Sequence, residues 1–428
     1  MQVIDSRKTS LEEILCRREE EAPDVSAAVA QILADVKARG DEAVREYTLR
    51  FDGAAPDTLR VSEEEIQAAL AEVDEELLRV MRKAAANIEA YHKKQVRQGF
   101  VMAEEEGVVM GQRILPLQRV GIYVPGGTAA YPSTVLMDSI PAAIAGVQRI
   151  VMVTPPGRDG KVAAPILAAA HIAGVQEIYK VGGAQAVAAL CYGTESIPTV
   201  DKIVGPGNLY VATAKRLVYG LVDIDMVAGP SDVLVVADDT ASAVVVAADM
   251  LAQAEHDENA AAVLVTTSQA LASEVQTQLA EQLKALSRKE IAAASLAANG
   301  RIILAQSVEE ALKIANGLAP EHLELCVEEP FALLPLVQNA GSVFLGHHTP
   351  EALGDYFAGP NHTLPTGGTA RFYSPLSVDD FIKKSSYLYY SRDALAKAAP
   401  MVRRFAESEG LQAHANSVAV RMPKDEEA

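Results

Sequence analysis

Four stretches of the 428-residue chain bring together side chains whose types and spacing could do chemistry. "QAEHD" sets Gln253 and His256 three residues apart, a spacing that shares one face of a helix and would present an amide oxygen beside an imidazole. "APEHLEL" sets Glu321 next to His322, a carboxylate and an imidazole that could share proton-transfer work near neutral pH. The segment "GDYFAGPNHTLPTGGTAR" carries Asp355 and His362 in a Gly/Pro-rich loop, and "LQAHAN" carries His414 in the tail. Carboxylate and amide oxygens with imidazoles make a nitrogen/oxygen site for Zn²⁺ or a similar divalent ion.

Taken singly, each stretch also has a plain structural reading. "QAEHD" fits the polar end of a helix. "EH" fits a helix-terminating turn in which Pro320 holds Ala319 extended. Loop Asp and Asn residues commonly make turns, and a lone histidine in a tail is commonly surface. His92 and His171 fall in helical segments and read as structural; His347 and His348 read as a solvated pair.

The elements that must position these groups follow from periodicity. The first 120 or so residues read mostly as helix, with apolar residues at three- and four-residue spacing and a capping box at Ser62 and Glu65. From about Gly121 short apolar runs alternate with helices: "RVGIYV", "RIVMVT", "EIYKV", "DKIVG", "SDVLVVAD", "AAAVLVTT", "RIILAQ", "EHLELCV" and "GSVFLG". Strand–helix alternation of this kind builds parallel sheets with crossover helices. Several runs end in glycine ("YVPGG", "KVGGAQA", "IVGPGN"), as expected where a ligand approaches the carboxyl ends of strands in a doubly wound fold. The usual dinucleotide fingerprint is absent, because "GPGNLY" has Tyr210 where a third glycine would stand. After about residue 348 the chain reads as a long loop, then a helical tail.

Composition bounds the function. The net charge of -19 disfavours nucleic acid and anionic membrane as partners and favours a small neutral or cationic substrate. Three cysteines, Cys16, Cys191 and Cys326, form no CxxC pair, which argues against a disulfide framework or a thiolate metal site. No signal segment and no apolar run of about 18 residues is found, so a cytoplasmic protein is expected. A zinc hydrolase would have the residues but leave the glycine-rich strand ends unexplained. A periplasmic-type binding protein would be expected to carry a signal peptide.

The segments together resemble the histidinol dehydrogenase family. The matching stretches are "YVPGG", "VGGAQAVAAL", "DKIVGPGN", "AGPSDVLV", "QAEHD", "APEHLEL", "GSVFLG", "GDYFAGPNHTLPTGGTAR" and "EGLQAHANSVAVR", in the family's order from about residue 26 onward. The resemblance implies NAD-dependent, four-electron oxidation of L-histidinol to L-histidine through L-histidinal, the last step of histidine biosynthesis. It implies one Zn²⁺ per subunit on Gln253, His256, Asp355 and His414, with Glu321 and His322 as the acid/base pair. His322 would be the general base for alcohol oxidation, and Glu321 would activate water for aldehyde oxidation. Substrate contacts would be Ser231, His362 and Glu409, together with His322 and the zinc ligands; NAD contacts would be Tyr123, Gln185 and Asn208. Asp232 stands where the family also uses Glu, a change expected to be neutral. The resemblance further implies a homodimer in which Glu409 and His414 reach the partner's site. The nearest alternative is a dehydrogenase of the same architecture acting on another small hydroxylated compound.

The expected fold is α/β, with two Rossmann-like doubly wound domains of parallel sheet, a helical N-terminal region and a small C-terminal tail. Residues 1–120 with 236–376 would form the first α/β domain, carrying the metal and acid/base residues. Residues 121–235 would form the second, NAD-contacting domain, and 377–428 a helical tail.

Overall fold

The computed structural model describes residues 1–15, 24–126 and 130–422. Cys16 and Gly127, the second glycine of "YVPGG", lie outside the described residues. Along the chain the strands are β1 (Gln2–Asp5), β2 (Phe100–Met102), β3 (Val108–Pro116), β4 (Arg119–Tyr123), β5 (Arg149–Thr154), β6 (Glu177–Lys180), β7 (Lys202–Val204) and β8 (Asp223–Ile224). They continue with β9 (Asp232–Ala237), β10 (Ala261–Thr266), β11 (Arg301–Leu304), β12 (His322–Cys326), β13 (Ser342–Leu345) and β14 (Ile382–Tyr390). All nine apolar runs read from the sequence are strands. β1, β2, β3, β8 and β14 were not foreseen.

Two compact units divide the chain: Met1–Gln95 with Leu117–Phe381, and Val96–Pro116 with Ile382–Ala428. The larger unit holds two all-parallel sheets, ordered β6-β5-β4-β7-β8 and β1-β11-β10-β9-β12-β13. Each is doubly wound. In the five-stranded sheet Val120, Ile122 and Met152 face one apolar core, while Val151, Val153 and Tyr179 face another. In the six-stranded sheet Val233 and Val235 face one core, Leu234 and Val236 the opposite one. This alternation follows from the two-residue period of a strand buried on both faces. Apart from the added edge strand β1, both sheets share one winding: the first strand of each (β4, β9) lies between its second and fourth. The chain therefore reverses direction across the sheet between β4 and β7, and between β9 and β12, the positions where such folds open a crevice.

The expected domain boundaries differ from this arrangement. The helices Ser26–Arg39, Asp41–Asp52, Glu63–Glu72 and Glu75–His92 pack on the helices of the five-stranded sheet, because their apolar stripes complete that sheet's two cores. The expected boundary at 235/236 would cut β9, which pairs with both β10 and β12 in the middle of the six-stranded sheet. The capping box is present: the Ser62 hydroxyl accepts from Glu65 N, and the Glu65 carboxylate accepts from Ser62 N.

The smaller unit is an antiparallel ribbon, β14-β3-β2, with helices Arg392–Ser408 and Gln412–Ala419. The expected helical tail thus begins with a nine-residue strand. Its residues after Ile382 are all exposed, so no burial alternation marked it in the sequence. No helix among the described residues is long and apolar enough to cross a membrane.

Candidate active site

The expected acid/base pair, Glu321 and His322, sits where one helix gives way to a strand. Ser307 caps the helix Val308–Leu318 through Glu310 N, and the helix ends at Ala319. Ala319 is not extended, as the following proline suggested, but left-handed (φ 48°), the one non-glycine residue with positive φ among the described residues. The left-handed residue lets its N–H close the last turn on Ala315 O at 2.8 Å while the chain reverses into β12. A left-handed alanine costs about 1–2 kcal/mol, and that strain stands two residues from Glu321. Glu321 is then fixed reciprocally to the start of β9: Glu321 N donates to Asp232 Oδ1 at 2.6 Å, and Asp232 N donates to Glu321 Oε2 at 3.1 Å. Asp232, expected to be neutral, therefore holds the main chain of the acid/base pair. Ser231, the residue before it, is half-buried, and its hydroxyl acts to lower the Glu321 carboxyl slightly against the effect of burial.

His322 and Glu324 share one face of β12, which is the face covered by the helix Ala243–Ala254. That helix buries Val246, Ala247, Met250, Leu251 and Ala254 in the core. Gln253, fully buried, lies in its last turn, and His256 lies beyond its end in a turn closed by His256 N on Gln253 O at 3.2 Å. The three-residue spacing is therefore realised by a helix end and a turn rather than by one helical face. Asp355 likewise is not in a loop: Glu351–Tyr356 form a short helix, with Glu351 and Asp355 one turn apart on the same side. The expected long loop is interrupted here because Glu351 N is held by the buried Glu324 Oε1 at 3.0 Å.

These elements surround His322. Its Nδ1 lies 3.8 Å from Glu351 Oε1 and 3.9 Å from Glu321 Oε2, and its Nε2 lies 3.7 Å from Asp355 Oδ1. His256, Glu351 and Asp355 each bring a ligand atom to within 4.8 Å of the others. The Gln253 amide meets Glu351 with its nitrogen, 3.0 Å from both carboxylate oxygens, in the one orientation that sets donor against acceptor. Its oxygen is then left free of that carboxylate.

The electrostatics follow from burial among like charges. Burial lifts Glu351 to about 8 and Glu321 to about 7 against the opposing pull of His322. Burial would lower His322, but the charges of Glu351 and Glu321 and the contact with Asp355 outweigh it and raise the ring to about 10. Burial raises Asp355, yet its contact with His322 leaves it net below the usual carboxylate range. Desolvation lowers His256 and His362 despite the nearby negative charge of Asp355. In the chain alone the surrounding carboxylates thus favour the protonated form of the His322 ring.

His362 follows on the glycine-rich segment. Its Nδ1 is 3.0 Å from Asp355 O and its Nε2 3.3 Å from Thr134 Oγ1. Thr363 donates to the fully buried Asp138 at 2.8 Å, and Asn361 Nδ2 to Met137 O at 2.7 Å. Thr134, Met137 and Asp138 belong to the helix Pro132–Ala145, so this segment ties the six-stranded half to the five-stranded one.

On the five-stranded half the three expected NAD contacts gather around the reversal between β4 and β7. Tyr123 ends β4 and is buried, with its hydroxyl accepting from Gly183 N at 3.0 Å. Gln185 is buried in the first turn of the next helix, and neither its Nε2 nor its Oε1 has a partner. A buried amide with both ends unused is costly unless a ligand satisfies it, and this is the observation that fits a polar cofactor. Asn208 caps the helix Leu209–Val218 through Tyr210 N and Val211 N. Gly205 before it has φ 114°, and a side chain there would meet Tyr123 O at 2.1 Å.

The remaining two expected site residues lie in the smaller unit. Glu409 is exposed at the C-terminus of the helix Arg392–Ser408, and His414 is exposed on the helix Gln412–Ala419. His92 is buried with Nδ1 on Ile88 O at 2.9 Å, the structural role expected of it.

Residues 15–422 match the family described as histidinol dehydrogenase. The chain belongs to the histidinol dehydrogenase family. It is 54% identical to the histidinol dehydrogenase of Syntrophotalea carbinolica, over 96% of this chain and 95% of that one. It is 55% identical to that of Geobacillus kaustophilus, over 93% and 94%. The crystal structure of histidinol dehydrogenase from Elizabethkingia anophelis superposes with a TM-score of 0.94 at 41% identity, covering 98% of each chain.

Within this histidinol dehydrogenase framework the structure adds residues that sequence reasoning missed. Glu351 bridges Gln253 and His322, and Glu324 holds Glu351 from below. The spacing in "EALGD", a carboxylate pair four apart, was the one available signal, and it was hidden by reading the stretch as loop. Lys215 and Asp225 form a buried ion pair that grips Gly205: Lys215 Nζ donates to Gly205 O at 2.9 Å, and Gly205 N donates to Asp225 Oδ2 at 2.8 Å. No sequence pattern marks that pair.

Proposed function

We propose that this oxidoreductase of the histidinol dehydrogenase family carries out the NAD-dependent, four-electron oxidation of L-histidinol to L-histidine through L-histidinal. Gln253, His256 and Asp355, with His414 from the tail of a second copy of the chain, would hold one Zn²⁺. The observation that carries this reading is the convergence of an amide whose oxygen is turned from Glu351, an imidazole and a carboxylate held below its usual range around the Glu321–His322 pair. The donor set suits a borderline divalent ion. When bound, the ion supplies positive charge that orients the substrate's imidazole and amino nitrogens and offsets the carboxylates that hold His322 protonated.

The first oxidation removes a hydride from the alcohol carbon and a proton from its oxygen. NAD⁺ supplies the hydride acceptor in both oxidations. His322 takes the proton, its orientation fixed by Glu351 on one side and Asp355 on the other. Water then adds to the aldehyde carbon. Glu321, poised near neutrality and held against Asp232, takes the proton from that water, and a second hydride leaves the resulting diol. One alcohol and one water thus yield one carboxylate, two NADH and three protons. Asp355 and Glu409 suit a cationic amino alcohol, and Ser231 and His362 complete the substrate contacts.

Tyr123, Gln185 and Asn208 form the cofactor side, where the unpartnered Gln185 amide awaits a polar group. A homodimer whose tails supply Glu409 and His414 to the neighbouring site, working in the cytoplasm, completes the proposal. The test is stoichiometric: purified protein with zinc and histidinol should form two NADH per histidinol consumed. One NADH, with aldehyde accumulating, would refute the four-electron reading. Inertness toward histidinol alongside turnover of another small alcohol would favour a relative with altered specificity.

A further inference from the structure

Glutamine is an ambiguous ligand. Its side chain ends in an oxygen that binds a cation and a nitrogen that does not, and the two are nearly the same size. A buried glutamine that can rotate spends part of its time presenting the wrong end. Gln253 is fully buried, and Glu351, itself 3% exposed, sets both its oxygens 3.0 Å from the Gln253 nitrogen.

We infer that Glu351 is a positioning residue that sets the Gln253 amide with its nitrogen inward and its oxygen toward the metal, rather than a ligand of the metal itself. The inference rests on the metal site proposed above. The amide nitrogen meets both Glu351 oxygens at 3.0 Å in the one orientation that sets donor against acceptor, so the carboxyl group selects the NH₂ end of the amide and leaves the oxygen facing away. Glu351 is placed for this by two independent constraints. Its main-chain N–H is tied to Glu324 Oε1 at 3.0 Å. It also stands one turn from Asp355 on the same short helix, so the residue that orients one ligand shares a rigid element with another. Its second neighbour, His322 Nδ1, lies at 3.8 Å, beyond hydrogen-bond distance, and so leaves the Glu351 oxygens to the amide. Groups that orient metal ligands in this way typically contribute 10–100-fold in metal affinity.

The alternative is that Glu351 ligates directly, since it falls within ligand distance of His256 and Asp355. The two roles separate in a double-mutant cycle read by Zn²⁺ affinity, measured on metal-stripped full-length protein by competition with a chromophoric chelator. In the natural background Glu351→Gln removes the selection, because its own amide can pair with Gln253 in either orientation. Zn²⁺ binding should weaken at least tenfold. In a Gln253→Glu background residue 253 has two equivalent oxygens and no orientation to set. There Glu351→Gln should leave Zn²⁺ affinity unchanged or improve it by relieving carboxylate repulsion. Weakening in both backgrounds makes Glu351 a ligand and overturns the inference; weakening in neither overturns it as well. Should Glu351→Gln fail to fold, Glu351→Asp, which keeps the charge but withdraws it by one methylene, is compared in the same two backgrounds with the same expected asymmetry. A natural chain that binds no Zn²⁺ at all would instead remove the metal reading beneath the inference, and that result is read before any variant is made.

Discussion

Replacing Lys215 with methionine tests how the cofactor side is held. The Lys215 ammonium and Asp225 carboxylate are buried, their side chains 3% and 1% exposed, and between them they bind both polar atoms of Gly205. Breaking a buried pair by removing one member costs about 3–5 kcal/mol, because the other charge is stranded. The lower end applies here, since Asp225 keeps two main-chain donors, Gly205 N and Met226 N. Unfolding entropy of about 2.1 cal/mol/K per residue makes each degree of Tm worth roughly 0.9 kcal/mol for a cooperative chain of 428 residues. Lys215→Met should therefore lower Tm by about 3–4 °C. Adding Asp225→Asn removes the stranded charge and should recover half or more of that loss. Calorimetry on cofactor-free protein gives the stability, and NAD⁺ titration gives the function, where the loosened Gly205–Asn208 turn should weaken binding at least tenfold. A single variant within 1 °C of the natural protein, or a double variant no more stable than the single, would refute the claim that this pair holds the turn.

Three further outcomes follow from the site. Glu321→Gln should slow oxidation of histidinal about 10²–10⁴-fold and oxidation of histidinol much less, in single-turnover assays of each half; equal small effects on both would remove its water-activating role. Stripping the metal should abolish histidinol oxidation and adding Zn²⁺ should restore it, whereas full activity in protein shown metal-free by elemental analysis would eliminate the site. Asp138 is fully buried, and burial raises its pKa from 3.8 to about 8. The folded chain therefore keeps a proton that the unfolded chain releases, and this group's contribution to stability falls as pH rises from about 4 to about 8. Asp138→Asn should flatten that dependence, gaining on the natural protein by at most about 1.4 kcal/mol per pH unit across the window; parallel Tm-versus-pH curves would mean that Asp138 is ionised when folded.

Nine strands and the parallel, doubly wound character of both sheets were legible because strands buried on both faces leave continuous apolar runs, though the strand order was not. The ribbon strand β14 was not, because "IKKSSYLYY" exposes both faces and carries no burial signal. β1 escaped because four edge residues among charged neighbours resemble any linker. The acid/base pair was legible as residue types but not as a place. The rule that ligands gather at the carboxyl ends of strands matches the expected cofactor contacts on the five-stranded sheet, where Tyr123 ends β4 and Gly205 follows β7. The expected contacts on the six-stranded sheet lie elsewhere. Ser231 precedes β9, Glu321 precedes β12 and His322 opens it, so these residues stand at the amino ends of the strands.

The physical reason for that exception lies in what each end must bind. The carboxyl ends of a parallel sheet feed into helix N-termini, which favour anions, and the glycine-rich turn before Leu209 on the five-stranded half has this character. The amino ends receive helix C-termini, which favour cations. Ala243–Ala254 and Val308–Leu318 both end there, delivering Gln253 and Glu321 to the site. The proposed cationic amino alcohol and divalent ion would suit that edge, and a dinucleotide phosphate the other. The charges of Glu351 and Glu321 and the contact with Asp355 act in the same direction as those helix ends, raising His322 against the effect of burial. The neutral base proposed for alcohol oxidation would therefore be favoured when a cation other than His322 stands among these carboxylates.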